Sequence, residues 1–96
     1  MQMTWSTAAL QPLLFKLWEH DEQIVVFNPS AGDTHLVDEF GMALLRCLET
    51  SPHTLAALTE ELAEFFEDHN ADKIADYIDA TLRRFQHVGL VIPALH

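Results

Sequence analysis

The sequence predicts an α+β domain, an N-terminal three-stranded antiparallel sheet followed by a three-helix bundle. Three observations predict it. From Leu13 to Val37, alternating or β-branched apolar runs are separated by turn-forming residues, which is the pattern of short strands. From Glu39 onward the apolar residues recur three and four apart, the spacing that builds one helical face. The period changes at Asp38, a residue whose carboxylate can accept from the first free amides of a helix.

Residues 1–12 carry Ser, Thr, Gln and Pro around a lone Trp5, and read as a flexible N-terminal arm. Leu13 to His20 alternate, with Leu14, Lys16 and Trp18 on one side and Leu13, Phe15 and Leu17 on the other, as in a strand. Asp21 and Glu22 make a polar turn, and the β-branched and aromatic run Gln23 to Phe27 makes the second strand. Asn28 to Asp33 concentrates turn formers, and Gly32 is the residue suited to positive φ. Thr34 to Val37 is the third strand. Its second edge has no obvious partner elsewhere in the sequence.

The first helix spans Glu39 to Glu49, with Phe40, Ala43, Leu44 and Cys47 inward, and Pro52 forbids its continuation. Thr54 caps a second helix carrying a stripe of Leu55, Leu58, Leu62, Phe65 and Phe66, with a solvated acidic face opposite and an end at His69-Asn70. A third helix, Ala71 to His87, buries Ile74, Ile78, Leu82 and Phe85. Its acids come early and Arg83 and Arg84 late, which complements the helix dipole. Gly89 is placed to end it in the left-handed conformation, and Leu90-Val91-Ile92 makes a short terminal strand. The folded body is then residues 13–92, and 93–96 a C-terminal tail.

Composition excludes several functions. Ninety-six residues make one domain, and 49% hydrophobic content supports a packed core. Fifteen acidic against five basic side chains give a net charge of −10, a field that repels nucleic acid. The single cysteine, Cys47, rules out an internal disulfide and reads as a small core residue. No run is long and apolar enough for a membrane span, and the start lacks a basic signal-peptide region, so a cytoplasmic protein is expected. Glycines 32, 41 and 89 are too scattered for a phosphate cradle, and no Ser or Cys has a local base signature, so neither enzyme activity nor a cofactor is expected. His20, His35, His53, His69, His87 and His96 never fall at metal-ligand spacing, and the pair Asp33 and His35 alone makes at most a weak surface site; no metal is expected.

Strands followed by three helices with a hairpin also describe a winged helix, in which the third helix would enter the major groove. Here that helix exposes Asp76 and Asp79 beside Lys73, Arg83 and Arg84, and the wing turn from Asn28 to Asp33 holds no Lys or Arg. Electrostatics disfavours DNA.

The run Gly32-Asp33-Thr34-His35-Leu36-Val37-Asp38, with Ala43-Leu44-Leu45, Thr54-Leu55-Ala56-Ala57-Leu58 and Phe85-Gln86-His87-Val88-Gly89-Leu90-Val91, resembles the PqqD family of small peptide chaperones, also called RiPP precursor-peptide recognition elements. The likeness covers roughly residues 13–92. Within it, Trp18 to Leu45 is similar to the branch found with HPr-kinase-related proteins. The resemblance implies a winged-helix-like fold, no catalysis and no cofactor. It further implies capture of a precursor (leader) peptide as an added strand, and presentation of that peptide to a modifying or HPr-kinase-related enzyme in natural product biosynthesis. The implied edge is Thr34, His35, Leu36 and Val37; on a helical wheel Tyr77, Thr81, Arg84 and Val88 lie together on one flank of the buried stripe and are the expected wall of the groove on the third helix. Open edges do bind peptides this way, backbone bonds giving affinity and a neighbouring groove selectivity. Two alternatives stand beside it: a homodimer that self-pairs through the same edge, and a winged-helix DNA-binding regulator.

Overall fold

The computed structural model describes residues 2–9, 11–18, 23–68 and 70–95. Its strands are β1 (Met3–Thr7), β2 (Leu14–Trp18), β3 (Gln23–Asn28), β4 (Asp33–Val37) and β5 (Val91–Leu95). Its helices are α1 (Glu39–Thr50), α2 (Leu55–Glu61) and α3 (Ala71–His87), with one 3₁₀ turn at Ala63–Phe65. The chain is thus a mixed α+β protein with three α-helices and antiparallel sheets among the described residues. The polar turn expected at Asp21-Glu22 lies outside those residues, as do His20, His69 and His96.

Strands β2, β3 and β4 form an antiparallel meander in that order. Local chemistry explains its turn. Asn28 Oδ1 accepts from the Ser30 amide at 3.0 Å, the Gly32 amide donates to the Asn28 carbonyl at 2.8 Å, and Gly32 sits at φ +74°. Alternation then assigns the faces. Ile24, Val26 and Asn28 are buried, and their register partners Val37, His35 and Asp33 share that inner face. Thr34 and Leu36 face outward beside Phe27 and Val25.

Helix α1 begins where Asp38 Oδ1 accepts from the Gly41 amide at 2.7 Å, and α2 where Thr54 Oγ1 accepts from the Ala57 amide at 3.1 Å. The buried face of α1 is Phe40, Leu44, Leu45 and Leu48, so Ala43 and Cys47 lie at its margin rather than at its centre. The second helix is shorter than its apolar stripe suggests. It stops at Glu61, and the 3₁₀ turn swings Phe65 and Phe66 onto Phe40, with ring centroids 5.8 and 5.5 Å away in edge-on geometry. Helix α3 buries Ile74, Ile78, Leu82 and Phe85 and ends in a Schellman motif. The Leu90 amide donates to the Phe85 carbonyl at 2.9 Å, the Gly89 amide to Gln86, and Gly89 takes φ +83°.

The termini depart furthest from the sequence reading. Residues 3–7 are a strand, not a flexible arm, and they pair antiparallel with residues 91–95, so the expected terminal strand continues through residues 93–95 of the expected tail. Trp5, 1% exposed, sits in the core, and its backbone exchanges hydrogen bonds with His53 at 2.7 and 2.9 Å. Strand β1 packs on α1 and α2, and β5 on α3, so this second sheet closes the helical side of the core. The pairing is about as non-local as the chain allows, and five residues of Met, Thr, Trp and Ser give only a weak local strand signal. No described helix is long and apolar enough to cross a membrane.

Candidate functional site: a cleft between an open strand edge and a helix

Strand β4 is at the end of its sheet, so among the described residues one row of its amides and carbonyls has no strand opposite. Helix α3 lies alongside. Thr34, His35, Leu36 and Val37 line one side of a cleft of about 380 Å³, and Arg84, Phe85, Val88 and Leu90 line the other. A contiguous hollow of about 370 Å³ continues past Leu36, Val37, Arg84 and Phe85 to Gln23 and Asp38. Together they make one trough running the length of β4. Thr34 and His35 share the end that holds Val88 and Leu90, Gln23 and Asp38 lie at the other end, and Leu36, Val37, Arg84 and Phe85 line both, so along the trough the order Arg84 to Val88 runs opposite to the order of residues in β4.

The Schellman turn positions the far wall. By folding the chain back at Gly89 it buries Leu90 against Phe85 and leaves Val88 40% exposed at the mouth. Val37 and Phe85 are buried at the base. The His35 ring lies on the inner face of the sheet, and its Nε2 is enclosed with no hydrogen-bond partner among the described residues. Arg84 is exposed and makes no ion pair among the described residues, whereas its neighbour Arg83 donates to Asp79 at 2.9 Å and Lys73 pairs with Asp68 at 3.6 Å. The trough therefore combines an apolar base, strand backbone with no strand opposite it among the described residues along one side, and on the other a guanidinium with no ion pair among them.

Of the eight residues named from the sequence, six line this cleft: Thr34, His35, Leu36, Val37, Arg84 and Val88. Tyr77 and Thr81 do not. Thr81 is buried, with its hydroxyl donating to the Tyr77 carbonyl at 2.9 Å. Tyr77 is turned onto Phe40 and Phe66, with centroids 5.2 and 5.5 Å away. Two lining residues were not named, Phe85 and Leu90. The spacing of the third helix puts Phe85 on the buried stripe, and the Val88-Gly89-Leu90 helix stop is the signal in the sequence that places Leu90 beside it.

Elsewhere, Cys47 is half-buried and its thiol donates to Glu61 Oε2 at 3.4 Å, while His53 Nε2 lies 3.3 Å from Glu61 Oε1. Burial pushes the thiol up to about 11, and the hydrogen bond and charge of Glu61 add to the shift. A thiol held protonated at neutral pH is a poor nucleophile. Among the described residues no group of three or more His, Cys, Asp or Glu is arranged to hold a metal ion.

Neither the curated proteins nor the solved structures compared give a match to this chain. A family model does: Coenzyme PQQ synthesis protein D matches residues 23–91, from the start of β3 through α3 to the first residue of β5, leaving β1 and β2 outside the match. That match spans more than two-thirds of the sequence and includes every element that builds the trough, so the chain belongs to the PqqD family.

Proposed function

We propose that this protein is a non-catalytic chaperone that captures a precursor peptide as a fourth strand on β4 and presents it to a modifying enzyme. The observation that carries the reading is the trough itself, an open strand edge facing an apolar helix flank. A peptide laid along β4 gains backbone hydrogen bonds from the edge, and every second side chain turns into the cleft between β4 and α3. Tethering raises the local concentration of peptide at the enzyme without any chemistry by the carrier. Family membership supports a precursor-peptide partner. In this reading the fold is winged-helix-like with the nucleic-acid role lost. The enzyme is of the HPr-kinase-related kind, as the likeness of Trp18 to Leu45 suggests, and the site of action is the cytoplasm.

The same free edge supports a second reading, self-pairing of β4 into a homodimer. The DNA-binding alternative is weaker, since Arg83 is occupied by Asp79 and the hairpin turn at 28–33 carries no cation.

Successive amides on a strand point to opposite sides, so proline at two adjacent positions separates ladder from edge. His35→Pro and Leu36→Pro are titrated with a candidate precursor peptide from a neighbouring reading frame. One variant loses stability through the β3–β4 ladder. The other stays folded, stays monomeric and loses at least about fivefold in peptide affinity, the equivalent of one hydrogen bond of about 1 kcal/mol. Full affinity in both folded variants would remove β4 as the binding edge.

A further inference from the structure

The trough also limits which peptides fit, an inference that rests on the strand-addition reading. Arg84 and Val88 are one helical turn apart on the same flank of α3, an advance of about 6 Å along the helix axis. Two residues of an extended strand advance about 6.7 Å. Arg84 and Val88 follow one another along the trough beside β4, and a strand added to β4 runs along the same trough. Consecutive inward-facing side chains of that strand therefore meet Val88 and then Arg84, or the reverse, in step with the helix.

The two positions differ in chemistry. At the Val88 end the neighbour is Leu90, buried and apolar, and the buried Phe85 forms the base between the two positions. At the other end stands the Arg84 guanidinium, without an ion pair among the described residues. It shares that end with Asp38, whose carboxylate is engaged by the Gly41 amide at 2.7 Å and makes no ion pair with it, so in a chain of net charge −10 the guanidinium is a cation left open to a peptide carboxylate. A planar guanidinium there donates paired, charge-assisted hydrogen bonds to a carboxylate. A basic peptide residue at that position would be repelled at contact.

We infer that the protein selects extended peptides carrying Asp or Glu two residues from a large apolar side chain, the acid on Arg84 and the apolar group against Val88, Leu90 and Phe85. The order of the two residues follows from strand direction, acid first if the peptide adds antiparallel to β4.

The test is a selection from a random nine-residue displayed library against the full chain and against Arg84→Glu, an exposed substitution that leaves the core intact. The native chain enriches an acid at two-residue spacing from Leu, Ile, Val or Phe. Replacing that acid by its amide in a selected peptide weakens binding about three- to tenfold, as suits a partly exposed pair. Arg84→Glu exchanges the acid for Lys or Arg at the same spacing. Amide shifts of residues 34–37 are recorded for each selected peptide. Peptides that shift those amides but carry no acid at this spacing overturn the inference and leave strand addition standing. Peptides that leave those amides unmoved, or an empty selection, overturn both.

Discussion

Trp5→Ala is the substitution that most sharply tests whether the amino-terminal segment belongs to the fold. The side chain is 1% exposed, and its strand is tied to both β5 and the His53 backbone. Truncating a buried Trp to Ala costs about 3–5 kcal/mol in lost transfer energy and cavity. One term works the other way. The indole Nε1 is buried without a hydrogen-bond partner among the described residues, and deleting such a donor returns part of a desolvation penalty of about 1–3 kcal/mol. The expected net loss is about 2–4 kcal/mol, out of the roughly 5–15 kcal/mol that holds a domain of this kind together. At the midpoint this lowers Tm by roughly 10–30 °C for a chain of this length. Urea unfolding followed by far-ultraviolet circular dichroism measures it directly, and Trp5→Phe, which keeps a ring and removes the unpaired N–H, should lose about 1 kcal/mol or less. A Trp5→Ala loss below about 0.5 kcal/mol, the range of surface substitutions, would refute the packing of β1 into the core.

Two further consequences are independent of that one. Gly89→Ala places a Cβ in open space, since nothing lies within 4 Å, so its effect is the left-handed backbone alone. A loss of about 1 kcal/mol is expected in denaturant unfolding, and a neutral result would mean the helix stop is not held at positive φ. Cys47, pushed up to about 11 by burial and Glu61, should react with thiol reagents at pH 8 more slowly than a free cysteine, and Glu61→Gln should quicken it. The same shift makes the folded state hold its proton longer than the unfolded chain. Stability from this thiol is therefore full below about pH 9 and is lost as pH rises toward about 11. A pH-independent stability through that window in wild type, relative to Cys47→Ala, would contradict the assignment.

Much of the core architecture is legible in the sequence because its signals are local. Asp38 and Thr54 cap their helices from positions fixed by a change of period, and Gly32 and Gly89 mark backbone that only glycine adopts easily. The third helix follows from Ile74, Ile78, Leu82 and Phe85 alone. What escapes is set at long range. Strand β1 is stabilised by β5, α1 and α2, none of which is visible from Met-Thr-Trp-Ser-Thr. Helix α2 is cut short because Phe65 and Phe66 are drawn to Phe40, a partner more than twenty residues away, which the stripe pattern could not register. The open edge of β4 could be read by finding no partner for it. The flank of α3 that faces it could not, since a helical wheel gives angles between residues but not the rotation of the helix against its neighbour. Tyr77 and Thr81 share a wheel flank with Arg84, yet aromatic packing and burial take them elsewhere.

The most direct test of peptide capture is an NMR titration of isotope-labelled protein with the candidate precursor peptide from a neighbouring reading frame, at a concentration where the protein is monomeric. Strand addition predicts saturable amide shifts at residues 34–37 and from Arg84 near the end of α3 through the following turn to Leu90, with the amides of β1 and of the exposed face of α2 unmoved. Shifts centred elsewhere, or binding that leaves residues 34–37 untouched, would contradict it.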